Sequence, residues 1–203
     1  MAHHPWLWFL DWLDRWKELD VAEPPPVPID LDVSRSELGL ATLAQAQALI
    51  GRGEVGRNND GPDIIRWRRM AGAKKPEYPG AWCAWFISAC ALMAWDELGR
   101  SGPLPFAPSG GAKRLTKNIG AAGSTLWKKG QPLNVMDWRP GDVLCLDRGK
   151  KGSWMGHVAI LETIYQDGRV SWVAGNEGRY PALVRRTDHD PEYERLYRVV
   201  RMP

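Results

Sequence analysis

Cysteine is scarce in this chain and its count is odd: Cys83, Cys90 and Cys145 are the only three, and no two are spaced as C-x-x-C. That argues against both a disulfide framework and a zinc site. Neither sign of charge dominates, with 27 basic and 24 acidic residues and a net charge of +3. No nucleic-acid partner is therefore expected, and the slight basic excess suits at most an anionic polymer. No segment approaches the roughly 20 uncharged apolar residues a membrane-spanning helix needs. Met1-Ala2-His3-His4-Pro5 lacks a basic n-region, and the apolar stretch after it is broken by Asp11, Asp14 and Arg15. No secretory signal is expected, so the chain is expected to be made in the cytoplasm and to need another route to any substrate outside it.

Aromatic residues, by contrast, are present in quantity, with 12 tryptophans. A core plus an aromatic extension accounts for most of them. Residues 6–20 place Asp11, Asp14, Arg15 and Glu18 on one narrow helical stripe, with Trp6, Phe9, Leu10, Leu13, Trp16 and Leu19 on the rest. So wide an apolar face calls for a partner, which could be the domain that follows, another chain or a membrane surface. Its acidic balance weakens the membrane reading, because interfacial helices carry Lys/Arg-rich polar faces. Glu23-Pro24-Pro25-Pro26-Val27-Pro28 follows as a stiff spacer. The expected organisation is an extension over 1–22, a proline-rich linker over 23–35 and one domain over 36–203.

Within the domain, Ser36 caps a helix running to about Ile50, and Pro62 opens a second that ends near Gly72. A third begins at Cys83 and ends before Gly99. Residues 101–140 are loosely patterned, with one short helix around 112–119 and a groove expected to set specificity. Strands are expected at 142–147, 156–165, 169–174, 182–187 and 195–201. Helices first and antiparallel strands afterwards make an α+β order.

Cys83 falls in the first turn of its helix, where unpaired N–H groups and the helix dipole favour thiolate. Cys90 and Cys145 sit in apolar runs and read as core. His157, at the start of an apolar strand after Gly156, is the preferred base, since His3 and His4 lie in the extension and His189 in a charged run. Asn176, one strand later in Gly175-Asn176-Glu177-Gly178, is placed to orient the imidazole through its side-chain carbonyl.

Residues 48–178 resemble the CHAP branch of the NlpC/P60-type cysteine peptidases and amidases. The matching pieces are Glu54-Val55-Gly56 with Asn59-Asp60-Gly61, then Tyr78 to Ser88 around Cys83, Arg139-Pro140-Gly141-Asp142-Val143, Gly156 to Ile160, and Gly175-Asn176. The resemblance implies a papain-like fold, with a cysteine-bearing helix packed on an antiparallel sheet that bears the histidine. It implies Cys83 as nucleophile, His157 as general base and acid, and Asn176 as orienter, cleaving amide bonds in the peptide stems of bacterial peptidoglycan. Trp82 and Asn59, inside the matching pieces, are the expected substrate-binding residues. The setting implied is a phage lysin, tail-associated hydrolase or toxin effector, reaching the wall by lysis or by delivery from a phage or secretion machine. Many CHAP domains carry an acid two positions before the asparagine, where this chain has Ala174. Glu177 is the substitute at hand, but strict strand alternation turns it away, which places Asn176 ahead of it. No cofactor is expected. Asn58, Asn59, Asp60 and Asp63 make calcium a minority option, against the absence of a regular ligand loop. Two other readings stay open: a non-catalytic wall-binding module on the same fold, and a cysteine peptidase or deamidase acting on protein.

Overall fold

A computed structural model describes residues 36–203. The expected extension over 1–22 and linker over 23–35 lie outside the described residues. Four α-helices precede the sheet: α1 (Glu37–Ala48), α2 (Pro62–Met70), α3 (Cys83–Glu97) and α4 (Ala112–Ala122). The strands are β1 (Ser124–Lys128), β2 (Val143–Asp147), β3 (Gly156–Ile164), β4 (Val170–Glu177), β5 (Leu183–His189) and β6 (Leu196–Arg201). They form one sheet of order β1-β6-β2-β3-β4-β5, and every pairing is antiparallel. The expected α+β, papain-like class is the one observed. No helix among the described residues is long and apolar enough to cross a membrane.

Local signals account for the helix starts. Ser36 accepts a hydrogen bond from the Gly39 N–H and so caps α1, and Pro62 occupies the first turn of α2. α3 lacks a polar cap, and its burial is nearly all round: Cys83, Ala84, Phe86, Ile87, Ala89, Cys90, Ala91 and Ala94 all lie in the core. Its small residues let it lie between the other helices and the sheet, the position of a central element.

Both faces of the sheet are covered. Val143, Cys145, Val158, Ile160, Val173 and Val200 pack with the helices. Leu144, Leu146, Ala159, Leu161, Trp172 and Val199 face the other way, into a second cluster with Trp138 that Leu126, Trp127, Leu133 and Val135 pack against. Two-sided burial explains why β2 reads as a continuous apolar run. It also corrects the reading of 101–140 as loose apart from one short helix. Ser124–Lys128 forms edge strand β1, which pairs with the last strand β6, and the segment after it covers the second face. A five-residue strand whose partner lies at the far end of the chain leaves little local trace.

A buried arginine secures the approach to α3. Arg68, 2% exposed on α2, donates to the carbonyls of Asn59 (3.0 Å), Pro76 (3.3 Å) and Gly80. Burial lowers its pKa, while the nearby Asp60 charge opposes the shift. Arg68→Ala strands three carbonyls and is expected to cost about 3 kcal/mol. In a domain of this size that is a fall of roughly 6–12 °C in the thermal midpoint, measurable by circular dichroism.

Candidate active site

Cys83 is the first residue of α3, and His157 is the second of β3. Both are buried, 3% and 5% exposed, both line the same cleft, and each shifts the ionisation of the other. Burial alone would raise the Cys83 pKa. The His157 charge and hydrogen bond, with the backbone N–H groups of Val158 and Ala84, outweigh burial and bring it below the usual thiol value. Burial would likewise lower His157, but Cys83 and then Glu177 raise it to about 9. Both shifts favour the thiolate–imidazolium form of the pair. Burial acts differently on the other two cysteines: Cys145 is pushed up to about 12 and Cys90 well above its ordinary value. Cys83 is the one thiol of the three prepared as a nucleophile.

The group on the far side of the imidazole is Glu177, whose Oε2 lies 2.7 Å from His157 Nε2. The two atoms are close without being aligned as a hydrogen bond, and neither has another partner, so the pairing is chiefly electrostatic. Burial would raise the Glu177 carboxyl, and His157, Arg148 and His189 together hold it below its ordinary value. With Nε2 against the carboxylate, Nδ1 is the nitrogen left for the thiol.

This corrects the expectation that Asn176 orients the base. In the β4–β5 ladder Ala174 pairs with Arg185 and Glu177 with Leu183, so β4 carries one extra residue. In an unbroken ladder Asn176 would face Leu183, and the bulge gives that place to Glu177. Asn176 absorbs the bulge with a left-handed backbone, φ 61°, a conformation asparagine tolerates better than most side chains. A Cβ on Gly175 would come within 2.5 Å of the Trp82 ring, so glycine lets α3 approach the strand here. The Gly175-Asn176 pair at a strand end was the available signal, since such pairs mark bulges, and alternation cannot be carried through a bulge.

Trp82 requires a second correction. It is 0% exposed, stacks near Trp67 with centroids 5.4 Å apart and donates from Nε1 to Glu54 at 3.3 Å. It braces the start of α3 from inside and has no face for a substrate. Asn59 does reach the cleft, as does Asn176. Glu54, whose role was missed, is a buried carboxylate that takes N–H groups from Asn59 (2.8 Å), Trp82 and Ala182 (2.8 Å).

Cys83 and His157 open into a cleft of about 620 Å³, whose mouth carries Arg148, Trp154, Arg179 and Tyr180. Gly110, Gly111 and Ala112 are its only lining from the segment expected to form the groove. Most of the wall comes from 58–59, in the loop before α2, and from 148–157 and 176–182 at the strand ends. Two of the residues considered for calcium have their carboxylates engaged by other groups. Arg57 and the Gly61 N–H take the two oxygens of Asp60, and Arg52 pairs with Asp63. Among the described residues no three His, Cys, Asp or Glu side chains converge as a metal site.

Residues 74–176 match the family model of the CHAP domain. The chain belongs to the CHAP domain family. CHAP domains are typically cysteine- and histidine-dependent amidohydrolases, a class of peptidoglycan hydrolases, amidases and peptidases. The CHAP match takes in Cys83, His157 and Asn176 and stops one residue before Glu177. The carboxylate on the histidine thus falls just beyond the matched segment, where the bulge displaces it. No curated protein and no solved structure matches the chain.

Proposed function

We propose that this CHAP domain hydrolyses amide bonds in the peptide stems of bacterial peptidoglycan, with Cys83 as nucleophile, His157 as general acid and base, and Glu177 as the group that orients and charges the imidazole. The observation that carries the reading is the row Cys83–His157–Glu177 at the floor of an open cleft. A buried thiol shifted towards the thiolate is costly for a module that only binds, which favours catalysis over the non-catalytic alternative. The mouth suits the substrate chemically. Arg148 and Arg179 match stem carboxylates, and Trp154, 82% exposed, offers a ring face to a sugar or peptide. The finer setting, a phage lysin, tail-associated hydrolase or toxin effector, draws support from the aromatic, proline-tethered N-terminal sequence, which suits docking on a larger assembly.

The reaction is acyl transfer. Cys83 Sγ attacks the amide carbon, the carbonyl electron pair moves onto oxygen, and the first-turn N–H of α3 stabilises the oxyanion. His157 gives its proton to the leaving amine as the C–N bond breaks. The neutral imidazole then takes a proton from water, whose oxygen attacks the thioester and releases the acid and the thiolate.

Mass spectrometry of products from muropeptides and from a protein mixture tests the substrate class. Muropeptides split at a stem amide are expected, whereas cleavage confined to protein would overturn the reading. The pH profile follows from the ion pair. Cys83 ionises below the ordinary thiol value, so the acid limb lies low. His157 keeps its proton until about 9, so activity falls above that pH. A rate still climbing through pH 9, measured as kcat/KM, would show an ordinary thiol instead.

A further inference from the structure

Acyl transfer calls for a second donor to the oxyanion, and Asn59 is held in a manner that bears on it. Its backbone is left-handed, φ 56°, and both of its backbone polar groups are committed. The Asn59 N–H donates to Glu54 Oε1 at 2.8 Å, and its carbonyl accepts from Arg68 at 3.0 Å. The same Glu54 oxygen accepts the Trp82 Nε1–H, and the same Arg68 nitrogen donates to the Gly80 carbonyl. Two buried charged side chains thus each bridge residue 59 to the residues just before Cys83. A strained residue persists only where its surroundings fix it, and here they fix it relative to the nucleophile.

The side chain is treated differently. Asn59 lines the cleft with Cys83, yet among the described residues its amide makes no hydrogen bond. Asn58, also on the cleft wall, is exposed and has no comparable tether among the described residues. We propose that the Asn59 side-chain amide is the second donor of the oxyanion hole, acting beside the Cys83 N–H. This rests on the thiol acyl-transfer reading of the site and is independent of which amide is cut. When the thiolate forms its bond to the carbonyl carbon, the electron pair moved onto oxygen is met by Asn59 Nδ2–H. When the tetrahedral species collapses, the pair returns, the amine leaves with the His157 proton and the hydrogen bond weakens. Preorganisation is what makes such a donor effective, because it need not be reordered as charge develops.

The test compares two reactions of Cys83 in the full-length protein. Acylation by p-nitrophenyl acetate passes through an oxyanion, whereas alkylation by iodoacetamide does not. Asn59→Gly removes the amide where glycine accepts the backbone without strain, and Asn59→Asp keeps the shape but removes the donor. Both variants are expected to slow the p-nitrophenolate burst by about 100-fold or more, with alkylation within about twofold of the parent and an unchanged thermal midpoint. A burst within about threefold of the parent overturns the proposal. So does a parallel fall in both rates, or a parent without a burst. If the parent shows the burst and its loss in the variants but does not clear cell walls, the peptidoglycan reading fails while the role of Asn59 stands.

Discussion

Cys83→Ala is expected to reduce clearing of purified cell walls to the background rate, a fall of at least ~10⁴-fold. The size follows from the site: the other two thiols are fully buried with raised pKa values, and Cys83 is the thiol that shares the cleft with His157. Alanine removes the thiol and leaves a small, already apolar environment at the start of α3, so the domain is expected to fold. Unfolding by heat within a few degrees of the parent, together with lost clearing, would assign the loss to chemistry. Wall clearing by Cys83→Ala at the parental rate would dismiss the thiol mechanism altogether.

Glu177→Ala is expected to lower turnover by roughly 10³-fold, because removing the carboxylate from a comparable triad costs up to about 10⁴. Asn176→Gly, which leaves the left-handed backbone unstrained, is expected to cost less than about tenfold. The two variants separate the carboxylate observed on His157 from the asparagine expected there. Their pH profiles separate them again. After the opposing effect of burial, His157 is raised by Cys83 and by Glu177, so losing the Glu177 charge moves the alkaline limb down from about 9. Asn176→Gly leaves that limb in place. A larger loss in Asn176→Gly than in Glu177→Ala would return the orienting role to Asn176.

Arg68 shows how the scaffold and the site share parts. Its three carbonyl acceptors lie in the loops that carry Asn59 and lead to Cys83. In sequence it is one of several arginines on a short helix, and only the packing of α2 against the Cys83 helix makes it internal. Glu54 is similar, since its three donors come from positions 59, 82 and 182. No local pattern announces a carboxylate whose partners are scattered so widely.

By itself the sequence determined the elements and the nucleophile–base pair. Capping at Ser36, proline at 62, the apolar run after Cys83 and the strand periods are local properties, and the four helices and five of the six strands follow from them. The scarcity of cysteine and histidine left Cys83 and His157 as the natural partners. The tertiary structure decided three other things. Long-range pairing created β1, because an edge strand exists only where β6 arrives to hydrogen-bond with it. Packing turned Trp82 inward, because its ring fills space between Trp67 and Phe86. One extra residue in β4 moved Glu177 onto His157 in place of Asn176, because a bulge reverses the alternation from which a strand's faces are read.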